Sequence, residues 1–135
     1  MKKSIQLVLI LLLLTACGND SPKSNNTEEN NEYVAFRNID IVTINDEVNI
    51  TGEVKTWNGT FYYYVLAGEE TIIDEEKEDN LHKNEWTSFT LSISKSEILA
   101  LTDEIPHIAL YGKNSEGETI DPNYVPIDLR DVEEE

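Results

Sequence analysis

The chain has 135 residues, with 10 Lys and Arg against 27 Asp and Glu, two His and one Cys. That length leaves room for one domain and excludes a large multidomain enzyme. The net charge of −17 argues against a nucleic-acid partner, which needs a basic face, and equally against a polybasic contact with anionic lipid heads. A single Cys forms no intramolecular disulfide and builds no multi-cysteine zinc or iron–sulfur centre.

Lys2 and Lys3 form a basic start, and an apolar run follows from Ile5 to Leu14, broken only by Gln6. The run is too short to span a bilayer, which takes roughly 20 apolar residues, and it reads as a secretory signal. It ends in Leu14-Thr15-Ala16-Cys17-Gly18, which resembles the bacterial lipobox. The resemblance implies cleavage before Cys17 and a diacylglycerol on its sulfur, so that Cys17 becomes an anchored N-terminus. Such anchoring takes about two acyl chains at roughly 0.8 kcal/mol per buried methylene. Loss of residues 1–16 takes away Lys2 and Lys3 and no acid, which lowers the net charge from −17 to −19. Anionic lipid then repels the folded part over a Debye length of about 8 Å.

Residues 17–32 are read as the lipidated Cys and a tether. From Gly18 to Glu32 the stretch is rich in Asn, Ser and Glu, with Pro22 its only apolar side chain. It cannot bury enough surface to offset its ordering entropy, and at roughly 5–6 Å × √n it reaches about 20 Å.

From Tyr33 the pattern turns to strands, and residues 33–135 are expected to form one domain with an acidic C-terminal tail. A weaker strand spans Ile39 to Ile44. Val48, Ile50, Gly52 and Val54 alternate with polar residues, the period of a half-buried strand. Asn58-Gly59 fits a two-residue hairpin turn into Phe61-Tyr62-Tyr63-Tyr64-Val65-Leu66. Glu70 to Glu75 is a second weaker strand. Phe89, Leu91 and Ile93 alternate in another. Ser94-Lys95-Ser96-Glu97 fits a capping box opening a short helix, whose Ile98, Leu99 and Leu101 would cover one end of the sheets. Ile105 to Tyr111 is a strand closed by a turn at Ser115-Glu116-Gly117. Val125, Ile127 and Leu129 alternate in a last strand, where Pro122 and Pro126 mark a sheet edge. About seven short strands in roughly 100 residues predict an all-β, antiparallel immunoglobulin-like β-sandwich with one short helical turn.

Ile50-Thr51-Gly52-Glu53-Val54, Trp57-Asn58-Gly59-Thr60-Phe61, Trp86 with Phe89, and Ala109-Leu110-Tyr111 with its Ser115-Glu116-Gly117 turn resemble the bacterial spore germination immunoglobulin-like domain over about residues 38–130. Family members often carry Phe-Glu-Gly where this chain has Trp57-Asn58-Gly59. The resemblance implies an extracytoplasmic adhesion or interaction module, often a lipoprotein, and brings no catalytic residue.

The candidates for chemistry are few. His82 lies in a polar loop and His107 in a strand. Neither is attended by a nucleophile elbow, and two distant His supply no zinc spacing. The acids at Glu69-Glu70, Asp74 to Asp79, Asp103-Glu104 and Glu133 to Glu135 read as a solvated surface. Without an Asp-x-Asp-x-Asp-Gly loop, calcium binding at a sandwich end stays an alternative. No cofactor is expected. Trp57 and Trp86 read as core or core rim. If Phe61, Tyr63 and Val65 face the core, Tyr62 and Tyr64 point outward, although the opposite register satisfies the same alternation. Outward, these two either contact a peptide or sugar or pair across strands. The expected function is a non-catalytic binding or adhesion module, lipid-anchored on the extracytoplasmic face of a bacterial cell membrane. Its partner would be an envelope protein or cell-wall polymer, with Tyr62 and Tyr64 as contacts. The alternative is a cation- or small-ligand-binding lipoprotein.

Overall fold

The computed structural model describes residues 31–130. The signal segment, the lipobox with Cys17, residues 18–30 of the tether and the tail from 131 onward lie outside them.

Seven strands and one helix follow one another: β1 (Val34–Ile44), β2 (Glu47–Thr56), β3 (Phe61–Ala67), β4 (Glu70–Glu78), β5 (Thr87–Ser94), α1 (Lys95–Leu101), β6 (Pro106–Lys113) and β7 (Thr119–Pro126). They form two sheets, ordered β1-β2-β5 and β4-β3-β6-β7, with every named strand pair antiparallel. The expected seven-stranded all-β sandwich is the fold. Its fourth strand pairs with the third rather than the fifth, so the sheets divide three and four.

The inward rows match the sequence alternation. Val48, Ile50 and Val54 of β2 are buried, as are Phe89, Leu91 and Ile93 of β5, and they meet Phe61, Val65, Ile108 and Leu110 of the other sheet. Phe36, Phe61 and Phe89 pack ring to ring at centroid distances of 5.1–6.1 Å. Gly52 stands opposite Phe89, and a Cβ there would lie 3.0 Å from that ring. The glycine makes room for the largest residue on its neighbour strand.

Four local expectations need correction. Asn58-Gly59 is no hairpin turn, because β2 and β3 belong to different sheets. The segment is a crossover held by Thr56, whose buried Oγ1 accepts from the N–H groups of Gly59 (2.7 Å) and Thr60 (3.1 Å). Gly59 has φ +80, and its O accepts from Leu81 N at 3.1 Å. The two-residue hairpins are Asn45-Asp46, joining β1 to β2, and Gly68-Glu69, joining β3 to β4. Secondly, the weaker strand expected over Glu70 to Glu75 runs on to Glu78, so the acids from Asp74 to Glu78 lie on β4. Thirdly, only Ile98 of α1 is buried, while Leu99 and Leu101 are 52% and 53% exposed. Leu99, the next residue round the helix, points away from the face that Ile98 presents to the sheets. Fourthly, the last strand starts earlier and ends at Pro126. Ile127 is buried just beyond it, with its N–H bonded to Pro106 O at 2.8 Å. β7 is a sheet edge, as the two prolines indicated.

The N-cap half of the capping box is present: Ser94 Oγ accepts from Glu97 N at 3.3 Å. Asp46 of the β1–β2 turn adds a second tie. Its Oδ1 accepts from Ser96 N at 2.8 Å and its main-chain O from Lys95 N at 2.8 Å. The β1–β2 turn, the β3–β4 turn, α1 and residues 127–130 therefore share one end of the sandwich. Residues 31–33 enter at the opposite end, with segments 57–60, 79–86 and 114–118.

Candidate functional site

β3 runs through the middle of the four-stranded sheet and shows both faces of the alternation. Phe61 and Val65 are fully buried, and Tyr63 packs against the core. Burial and the nearby carboxylates of Glu78 and Glu76 hold the Tyr63 phenol above its ordinary pKa. Tyr62 and Tyr64 lie on the outer face, half-buried.

Register explains what they meet there. Tyr62 pairs with Tyr111, and Tyr64 with Ala109, which in turn pairs with Tyr124. Tyr62 stacks on Tyr111 at 5.9 Å and 22°, and Tyr64 meets the same ring edge-on at 5.6 Å and 65°. Tyr111 is therefore roofed by the two and only 2% exposed. Tyr64 and Tyr124 flank the small Ala109. The approach of the Tyr124 hydroxyl first, and burial second, raises the pKa of Tyr64. Tyr124, on the edge strand, is 55% exposed.

An ion pair borders this band. Lys113 Nζ donates to Glu75 Oε1 at 2.6 Å and lies 4.4 Å over the Tyr62 ring. The Tyr111 hydroxyl donates to the other oxygen of the same carboxylate. Bonds from Lys113 and then Tyr111 hold Glu75 below the usual carboxylate range. Burial, and then Glu75, push the Tyr111 phenol well up. The outer face is thus a band of four tyrosines, cross-paired beneath and accessible above. Sequence reasoning found Tyr62 and Tyr64. It missed Tyr111, Tyr124, Glu75 and Lys113, although Ala109, Tyr111 and Lys113 follow the same period of two along β6.

The other candidates separate. His82 is exposed in the segment before β5, and His107 sits on β6 beside Leu66 and Pro126, at the far end of the sandwich. The two histidines do not meet. Among the described residues no three His, Cys, Asp or Glu are placed to hold a metal ion. Trp57 is half-buried and donates its ring N–H to Lys113 O at 3.1 Å. Trp86 is 38% exposed on the outer face of the other sheet, with the Arg37 guanidinium 4.1 Å above its ring. Arg37 is held there by a fork to Glu53, at 2.9 and 3.1 Å. At the end away from residue 31, a cleft of about 650 Å³ runs between Leu99, Ile105, Pro106, Pro126 and Leu129. No helix among the described residues is long and apolar enough to cross a membrane.

No family model matches the chain, and no curated protein does. Three solved structures match, all of OgpA from Akkermansia muciniphila. A wild-type crystal structure is 15% identical with a TM-score of 0.56, over 74% of this chain and 29% of that one. The catalytically inactive form, in complex with an O-glycopeptide (glycodrosocin) substrate, is 16% identical with a TM-score of 0.55, over 70% of this chain and 28% of that one. A second wild-type form gives 14% and 0.54 over 76% and 29%. The chain thus spans less than a third of the proteins it matches, and at these identities the likeness is one of fold.

Proposed function

We propose that this protein is a non-catalytic binding or adhesion module of the bacterial cell envelope, lipid-anchored through Cys17 on the extracytoplasmic face. The observation that carries the binding role is the tyrosine band. Tyr62, Tyr64 and Tyr124 offer contiguous aromatic surface on a rigid sheet, with hydroxyls for polar contacts and little side-chain entropy to lose. The partner is another envelope protein or a cell-wall polymer. The anchor reading rests on the lipobox. It suits the entry of residues 31–33 at one end of the sandwich, which leaves the whole tyrosine face to the side of the tether. The fold shared with part of OgpA supports a module-sized unit within a longer chain, and adds nothing about a ligand.

The test is crosslinking in intact cells with Tyr124→Ala. Tyr124 covers less than Tyr62 and Tyr64, which roof the buried Tyr111, so its loss spares the fold. The variant should keep its thermal transition and lose most of the crosslinked partner. A variant that keeps both moves the binding surface elsewhere. In parallel, Cys17→Ser should be released from membranes or left uncleaved. If it fractionates with membranes in fully processed form, the anchor is wrong.

A further inference from the structure

A sheet edge offers unpaired N–H and C=O groups to any extended chain, and proteins blunt edges with charge, proline, bulges or brevity. This sandwich has four edge strands. β4 is blunted by Asp74, Glu75, Glu76, Lys77 and Glu78 and by two shifts of register against β3. β7 holds Pro122 and Pro126, has Asp121 at φ +49, and shifts register against β6. β1 shifts between Arg37 and Asp40, where Asn38 has φ +53. Its side of the sandwich is also closed over β7, by bonds from Val34 N to Asp121 (3.2 Å) and from Thr43 Oγ1 to Asp128 O (2.7 Å).

β5 has none of these devices. Its eight residues, Thr-Ser-Phe-Thr-Leu-Ser-Ile-Ser, include no charge, Pro or Gly, and all eight pair with β2 in unbroken register. Ser88, Thr90 and Ser92 are exposed on its outer face. Regular strands of this kind accept an added strand readily.

Charge decides what the edge accepts. With β1 lying over β7, the free side of β5 falls on the side of β4. Glu78 pairs with Phe61 and Glu76 with Tyr63, and residues paired directly across an antiparallel ladder point to the same face. Phe61 and Tyr63 point into the sandwich, so Glu76 and Glu78 hang from β4 toward the β5 side. A second copy of this chain would bring a further net charge of −17 to that border. A basic strand would be attracted.

We propose that β5 is a strand-addition site for an extended cationic peptide of a partner, with Lys or Arg at alternate positions. Main-chain bonds to β5 would supply the pairing. The basic side chains would lay their aliphatic stems beside Phe89, Leu91 and Ile93 and reach Glu76 and Glu78. The intervening small residues would lie beside Ser88, Thr90 and Ser92. The site is on the opposite sheet from the tyrosine band, so it stands or falls separately from that surface.

The probe is an end-capped eight-residue peptide alternating Lys and Thr, added to the full chain. Hydrogen exchange read residue by residue should slow at amides within Thr87 to Ser94 and little elsewhere. Affinity should fall as salt rises. It should drop about tenfold or more in Glu76→Gln/Glu78→Gln, and likewise in Thr90→Lys, which puts a like charge on an exposed site and leaves the core alone. A peptide alternating Glu and Thr should not bind. Absence of protection in β5 at saturating peptide, or equal binding of the Glu peptide, overturns the proposal. So does β5 protection without peptide that grows with protein concentration, since the occupant is then a second copy.

Discussion

At the scale of single residues, Thr56 does the most for the crossover between sheets. Its side chain is 1% exposed, and one oxygen satisfies two main-chain donors, Gly59 N and Thr60 N. Thr56→Val keeps the shape and removes the acceptor, which leaves two donors to find water or strain toward it. The expected loss is about 2 kcal/mol in chemical denaturation, against about 1 kcal/mol for Thr56→Ser, which keeps the oxygen and drops a methyl. Equal losses would make the methyl, not the hydroxyl, the reason for the residue. Gly59 shows why this corner was misread from sequence. Its positive φ was legible in the Asn-Gly pair, but that pair has the same turn chemistry whether the chain doubles back or crosses to another sheet. A Cβ on Gly59 would stand 2.6 Å from Leu81 O, a contact from 22 residues away that no local pattern records.

At the scale of elements, burial was legible wherever a strand alternates against one core. Ile50 was expected inside and is fully buried. Ile50→Asp should abolish cooperative melting, because it places an unpaired charge among apolar side chains. A melt near that of the wild type would remove Ile50 from the core. The outer face of β3 was legible only in part. Tyr62 and Tyr64 share a face by simple alternation, but their partner Tyr111 is fixed by the pairing of β3 with β6, which sets Tyr62 against a residue 49 positions further along the chain. The tyrosines of β3 and β6, on both faces of the sheet, carry a pH signature. Tyr63, Tyr64 and Tyr111 all have raised pKa values in the folded chain, from burial, hydrogen bonding and neighbouring negative charge. The fold therefore favours the protonated phenols. The stability they contribute is fully present below the ordinary tyrosine pKa of about 10 and is lost as pH rises through the higher folded values. Phenolate absorbance should lag behind that of the unfolded chain and then rise together with loss of the circular dichroism signal. Ionisation of all tyrosines near pH 10 with the fold intact would mean that the band is open to solvent.

At the scale of the whole molecule, class and strand number were legible because each strand carries its own alternation. The division of strands between sheets was not, since β4 declares only that it is an acidic, half-exposed strand and not which neighbour it takes. Charge is the other global property. With 27 acids against 10 basic residues, most carboxylates have no cation of their own. At low ionic strength they repel one another across the sandwich, over a Debye length of about 30 Å at 0.01 M that shrinks to about 8 Å at 0.15 M. The melting temperature should therefore rise as sodium chloride is raised from 0.01 to 0.15 M. A fall would mean that paired charges outweigh the repulsion. Acid acts on a separate set. Asp46, held by Ser96 and Ser94, Glu53, held by Arg37 and Asn38, Glu75, held by Lys113 and Tyr111, and Asp128, held by Arg130 and drawn down to about 2, are all depressed in the folded chain. A depressed carboxyl contributes stability that is fully present above its unfolded pKa of about 4 and is lost as pH falls through the folded value. Stability at fixed salt should thus decline from about pH 4 downward. Glu53→Gln should blunt that decline, because its carboxyl no longer titrates and the Arg37 fork over Trp86 is already broken at every pH. If the acid limb of Glu53→Gln overlays that of the wild type, the Arg37–Glu53 pair carries none of the pH dependence, and the limb belongs to the carboxylates at Asp46, Glu75 and Asp128.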